Sequence, residues 1–468
     1  MFWGNLPTEV RLAVLECLVG GRMAKYASVC SEWQKFFEPV TMRSLNIKDT
    51  DKKEFRKVFD VTDRRRYLRQ LTLVMQFKST YPRQNSQKPS REWTAEKLYQ
   101  FARYSTRVIT GGRYFVPDLE RIRMNSRFSN FLFFMFIVLS RWKQQEIWPR
   151  GIHLAIVDNS RSSWQALAEE FEPGETVIGD GTTISTEAQE WSKRVVLANH
   201  DWMLVLYKST FRGMRNDPVP AITRLSAIAR YQNFYPGSLG RIMSLLPSLW
   251  KFDWSMRVAE FPRNQVRFSQ WMLDLMDSWS PQLKEIKVLR APQARGSPTL
   301  SAQSFSFPGP FSLGLARIAQ NLTRLSFQQP IDAFEFFQCQ RYEYEYRNLQ
   351  SLSVCSTHRI LDEFPGSTDR PVLALCADMI PKIPNLQTFS LFSITEGASA
   401  VACFNPKNGG PLILVWDWPF LPDKATFGCI LKIRNAFWAY PKLRGLVYPA
   451  STERIWHQIA FMNSISDE

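Results

Sequence analysis

Apolar residues recur along this chain in a six-residue phrase. It reads leucine or isoleucine, two variable residues, an apolar residue, one variable residue and a last apolar residue. Copies fall at residues 68–73, 222–227, 249–254, 283–288, 322–327, 349–354, 386–391 and 443–448. The last two apolar positions alternate with polar ones, which is the period of a strand buried on one face. The leading residue of each copy (Leu68, Ile222, Leu249 and so on) would sit in the incoming turn and plug the core. Helical spacing predicts elements between copies, at 239–246, 268–279, 311–319, 372–380 and 429–438. Strands alternating with helices predict an α/β fold with a parallel sheet.

From Ile222 onward the copies start 27, 34, 39, 27, 37 and 57 residues apart. Ordinary leucine-rich repeats run about 20 to 29 residues, so most units here carry a longer helix or an insertion. The expectation is an irregular leucine-rich-repeat-like α/β solenoid. Upstream, the apolar run 131–139 reads as a buried helix or strand, and 152–157 as a strand. Nine apolar residues in that run fall short of the roughly 20 that a membrane span needs, so no span is expected. Polar breaks at 78–91, 172–183, 290–310, 362–371 and 405–411 read as loops between units.

The first forty residues have a different pattern. Asn5 can cap a helix, Pro7 suits its first turn, and Glu9 favours its positive end. Leu6, Val10, Val14, Leu15 and Leu18 follow at helical spacing, and Gly20-Gly21 stops the helix. A short helix over 23–29 and a third carrying Trp33, Phe36 and Phe37 complete the set. Three helices this small bury little by themselves, so they lean on the rest of the chain or keep an apolar face for a partner. Leu6, Pro7, Glu9, Val10, Val14, Leu15 and Leu18, then Val29, Cys30 and Trp33, resemble the F-box in type and spacing. The F-box is the three-helix module that docks a substrate receptor onto the Skp adaptor of cullin-based SCF ubiquitin ligases. In the second helix Met23, Ala24 and Tyr26 stand where that family usually has leucines. The resemblance implies an adaptor-contacting set of Leu6, Pro7, Val10, Val14, Leu15, Leu18, Val29, Cys30 and Trp33. Some of these must instead hold the helices together.

The stretch 131–159, with Asn321-Leu322 and Asn385-Leu386 opening two later copies and a Trp- and Phe-rich tail, also has a likeness. It resembles a large uncharacterised domain that follows the F-box in many filamentous-fungal proteins. That implies a substrate receptor without naming the substrate. The expected organisation is an F-box at 1–45, a basic α/β part of the repeat body at 46–215 and the solenoid proper at 216–468.

Charge sharpens this picture in one place. Of the formal +16, residues 1–150 carry 28 basic and 14 acidic side chains, and the remainder is nearly balanced. Arg103, Arg107, Arg113, Arg121, Arg123 and Arg127 cluster there, interleaved with Tyr104, Tyr114, Phe115 and Phe128. Arginine pairs bidentately with carboxylate and phosphate, so the segment is a candidate contact for acidic or phosphorylated ligands. The aromatics would also suit single-stranded nucleic acid, and a solvated surface is the third reading.

Chemistry-bearing motifs are sparse. His153, His200, His358 and His457 have no metal-site spacing, and no P-loop, GxGxxG or GxSxG occurs. Seven scattered cysteines form neither a disulfide framework nor a CxxC site. No cofactor, no metal and no cleaved signal peptide are expected. The sequence therefore predicts a non-enzymatic adaptor in the cytosol or nucleus. It would bind a Skp-type subunit, and a cullin through it, and hold an unidentified protein substrate. The alternatives are a basic repeat protein binding nucleic acid, and an F-box protein acting with Skp outside the ligase.

Overall fold

A computed structural model describes residues 3–19, 23–76, 116–159, 203–204, 206, 217–229, 233–256, 273, 275–276, 279–290, 309–327, 333–339, 344–356, 372–393, 400–404, 413–416 and 446–449. The chain opens with α1 (Thr8–Cys17), α2 (Met23–Tyr26) and α3 (Ser31–Thr41). Asn5 lies in a short 3-10 turn, Trp3–Asn5, and Pro7 takes the N-cap position, two residues later than an Asn5 cap would place it. Proline has no N–H to lose there, and its carbonyl accepts from the Arg11 N–H at 3.1 Å.

Next come β1 (Ser44–Lys48), α4 (Lys52–Phe59), α5 (Thr62–Arg65) and β2 (Gln70–Met75). The apolar run at 131–139 belongs to one long helix, α6 (Val116–Ser140), which leads to β3 (Ile152–Asp158). Its buried residues, Phe128, Phe131, Leu132, Met135, Phe136 and Leu139, keep the spacing of one helical face. Then follow β4 (Met203–Leu204), β5 (Ile222–Ala229), β6 (Asn233–Phe234), α7 (Pro236–Ser244), β7 (Lys251–Met256) and β8 (Glu285–Arg290). The remaining elements are α8 (Gly309–Ala319), β9 (Arg324–Phe327), α9 (Ala333–Gln338), β10 (Ser351–Ser356), α10 (Val372–Met379), β11 (Thr388–Ser393), β12 (Ala400–Phe404), β13 (Ile413–Trp416) and β14 (Leu446–Pro449). The helix expected at 429–438 lies outside the described residues, as does most of that expected at 268–279.

Every copy of the six-residue phrase is a strand of one sheet. Its strands run β1-β2-β3-β5-β7-β8-β9-β10-β11-β12-β13-β14, and β4 pairs separately with β6. The first nine are all parallel and follow chain order. Register lines up the phrase across them: Leu71, Leu154, Leu225, Phe252, Ile286, Leu325, Leu352 and Phe389 form one buried row. Ile47, Leu73, Ile156, Ala227, Trp254, Val288, Phe327, Val354 and Leu391 form a second. The leading leucines Leu68, Leu249, Leu283, Leu322, Leu349 and Leu386 are buried as plugs.

Two strands of the parallel run are copies that the leucine pattern does not mark. In β1 the leading position is Met42, packed on the core, and in β3 it is Gly151. The 57-residue gap between Leu386 and Leu443 contains β12 and β13, which run antiparallel to β11 and to each other in turn. A parallel return needs a crossover of a dozen residues or so. Residues 394–399 and 405–412 are too short for that, whereas 417–445 suffices, and β14 is parallel to β13.

The N-terminal helices join the sheet without a break. Arg64 donates to both carboxylate oxygens of Glu38 on α3, at 2.8 and 3.3 Å. The Arg43 carbonyl accepts from the N–H groups of Arg69 and Gln70, at 2.9 and 3.0 Å. Phe55 and Phe59 of α4 lie against Trp142, with ring centroids 6.0 and 5.5 Å away. Strand β1 spans residue 45 and β3 pairs with β5 across residue 215, so one sheet runs through both positions.

Candidate functional site

The structure divides the adaptor-contacting set. Leu15 is fully buried, and Trp33 sits among Trp3, Tyr26 and Phe37 with ring centroids 5.1 to 6.0 Å apart. Glu32 secures the same corner, accepting from Trp3 Nε1 at 2.8 Å and Arg11 Nη1 at 2.9 Å. These residues hold the three helices together. Leu6 and Leu18 are half-buried, while Pro7 and Cys30 are exposed. Val10 is 44% exposed, Val14 39% and Val29 60%. Five of the eight large apolar side chains that stand exposed among the described residues lie between 10 and 29, the other two being Leu12 and Val19. Scattered exposed apolar residues are ordinary. Here they are concentrated on one small unit.

The arginine segment is only partly described. Arg103, Arg107 and Arg113 lie outside the described residues, and the Arg121 side chain does too. Arg123 and Arg127 are exposed on α6, and Arg127 approaches Asp49 at 3.6 Å.

A second polar surface is one that the leucine pattern does not announce. The third and fifth positions of each phrase point away from the buried rows. Third positions His153, Arg224, Lys251, Glu285 and Arg324 stand in register on β3, β5, β7, β8 and β9. Fifth positions Ser226, Asp253 and Lys287 stand beside them. Ser226 donates to Asp253 Oδ2 at 3.2 Å, and its oxygen lies 2.7 Å from His153 Nε2. A hydroxyl has one proton, and here it goes to Asp253, so His153 Nε2–H donates to Ser226 and Nδ1 keeps the lone pair. Serine, histidine and aspartate therefore form one hydrogen-bonded chain across β3, β5 and β7.

Charge crowds the same place. His153 is pushed down to about 4, first by burial and then by Arg224 and Lys251. Glu285 sits between Lys251 and Arg324, at 3.4 and 3.3 Å. Arg224 lays its guanidinium over Trp250, 4.8 Å from the ring centroid. Sequence reading passed over this cluster because its members are 73 and 27 residues apart. Aligning the phrases by position, with Gly151 admitted as a leading residue, is the signal that finds it. Among the described residues no group of three or more His, Cys, Asp or Glu could hold a metal ion, and no helix is long and apolar enough to cross a membrane.

Comparison with known proteins adds one relation. Residues 282–417 are similar to DUF6546, a family of unknown function. The stretch runs from the turn before β8 to the end of β13, so it takes in the later parallel strands and the antiparallel ones and leaves the N-terminal helices outside. No curated protein matches the chain.

Proposed function

We propose that this chain is the substrate-recognition adaptor of an SCF-type ubiquitin ligase. Residues 1–45 are its F-box, docking a Skp-type adaptor and through it a cullin. The sheet-bearing body is an irregular leucine-rich-repeat-like solenoid that presents a surface to a protein substrate. Such a receptor forms no bond itself; it raises the effective concentration of the substrate near the ubiquitin-loaded enzyme.

The observation that carries this reading is how little α1 buries. Eight of its ten residues are exposed, Val10, Leu12 and Val14 among them, and only Leu15 is fully buried. An isolated helix this short is marginal in water, and each valine covered by a partner contributes about 1.5 kcal/mol or more. Of these, Val10 and Val14 coincide with apolar positions of the F-box pattern.

The test is a pull-down of purified Skp adaptor by the full chain, beside a Val10→Asp, Val14→Asp double variant. Both residues are exposed, so thermal unfolding should stay within about 1 kcal/mol of the parent. Adaptor binding should fall at least a hundredfold, because the carboxylates would be buried unpaired. Retained binding in the variant, or none by the parent, rejects the assignment. Deleting residues 1–45 is a poorer test, since it removes the first two residues of β1 from the sheet.

A further inference from the structure

Arg224 poses a question that the fold does not answer. It is half-buried on β5, directly in register with Lys251 on β7. Like charges placed opposite each other on neighbouring strands destabilise a sheet. Lys251 has Glu285 at 3.4 Å, but among the described residues Arg224 has no carboxylate; Trp250 covers its face and leaves the N–H edge of the fork. That edge is the part of a guanidinium that binds oxyanions bidentately. Around it are His153, with Nδ1 unprotonated, and Ser226, tied to His153 and Asp253. The surrounding side chains are thus held in place by the sheet register and by one another. Elsewhere Arg69, just before β2, also stacks on an indole, that of Trp148, at 3.9 Å.

We propose that Arg224, Lys251 and His153 form an oxyanion site on the polar face of the sheet, one that takes a phosphorylated or acidic side chain of a protein segment. Neighbouring strands are about 4.8 Å apart, so one phosphoryl or carboxylate group reaches the Arg224 fork and the Lys251 ammonium together. The donor edge of Arg224 and the Lys251 charge bind the anion. His153 Nδ1 accepts from a peptide N–H of the same segment. That the anion belongs to a protein substrate rests on the receptor reading above; the oxyanion site itself does not.

The experiment uses the full chain and three degenerate peptide libraries with phosphoserine, glutamate or serine fixed at the centre. Expected is retention of the phosphoserine library, or of phosphoserine and glutamate alike, over serine, with at least tenfold loss on Arg224→Gln and an intermediate loss on Arg224→Lys. Phosphoserine alone identifies a phosphate reader, and both together an acidic-segment reader. Equal retention of all three libraries, or binding unchanged in Arg224→Gln, overturns the site. A labelled single-stranded oligonucleotide that binds better than the peptides and is lost on Arg224→Gln overturns the protein assignment.

Should Arg224→Gln unfold, the parent alone decides. Inorganic phosphate, against chloride of equal ionic strength, should raise the His153 titration followed by its ring proton resonance, and an unmoved midpoint rejects the proposal. The same Arg224→Gln chain should still capture the Skp adaptor, so failure of the anion site and failure of the docking claim are read separately.

Discussion

Gly151 shows how one residue adapts a repeat to its neighbour. Its φ is +72°, and a Cβ there would stand 2.2 Å from Thr223 Cγ2. Thr223 is fixed in turn by donating to the Arg150 carbonyl at 2.8 Å. Gly151→Ala should therefore cost about 2–4 kcal/mol in urea unfolding, from positive φ and overlap together. Adding Thr223→Ala should recover only the overlap part. His153 gives a second expectation, on pH. Its value of about 4 lies below the ordinary 6.5, so between these pH values the unfolded chain takes up the proton and the folded chain does not. Stability from this group is complete above pH 6.5 and falls as pH drops towards 4, by about 2–3 kcal/mol at pH 4.5. His153→Gln should flatten that part of the stability profile, measured by urea unfolding at pH 7 and 4.5; an equal slope in both chains would contradict it. Neither residue stood out in the sequence. A leucine-led phrase cannot reveal a copy that opens on glycine, and His153 acquires its setting only from strands far along the chain.

At the scale of elements, exposure and burial sort the cysteines. Cys17 and Cys30 are exposed on and beside the N-terminal helices, while Cys339, Cys355 and Cys376 are buried. Burial, and after it the Glu335 carboxylate, push the Cys339 thiol up to about 11. Thiolate is the reacting form, so iodoacetamide at pH 7.5 should label Cys17 and Cys30 well before Cys339, read by peptide mass spectrometry. A bound Skp adaptor should then protect Cys30. The spacing of the first forty residues located the three helices, yet it could not separate the residues that hold them together from those left exposed. Trp33 is half-buried because Trp3 and Tyr26 pack against it, a tertiary event with no periodic signature. Likewise the phrase located strands β2, β5 and β7 to β11, together with β14. It was silent on β12 and β13, whose direction is set by short connections.

The whole molecule is organised by a sheet in which the parallel strands stand in chain order. Burial deepens from the edge inward: Leu45 on β1 is half-buried, whereas its counterpart Leu325 on β9 is buried. Leu325→Ala should cost about 3–5 kcal/mol and Leu45→Ala about half of that or less, compared by chemical denaturation. An equal cost would mean that the edge is covered by a partner chain. Composition foresaw a large folded body, but the mixed-charge row on its polar face became visible only when register brought the third positions together. The same chain-order arrangement has a consequence for biosynthesis. No strand of the parallel run waits for a distant segment, so each can pair with its predecessor soon after translation supplies it. At about 5–20 residues per second, the helices of residues 3–41 would be finished roughly 20 to 80 s before the last strand. During that interval the growing sheet has β1 as one fixed edge and its newest strand as the other, and the next strand to emerge is the segment that covers the newest edge.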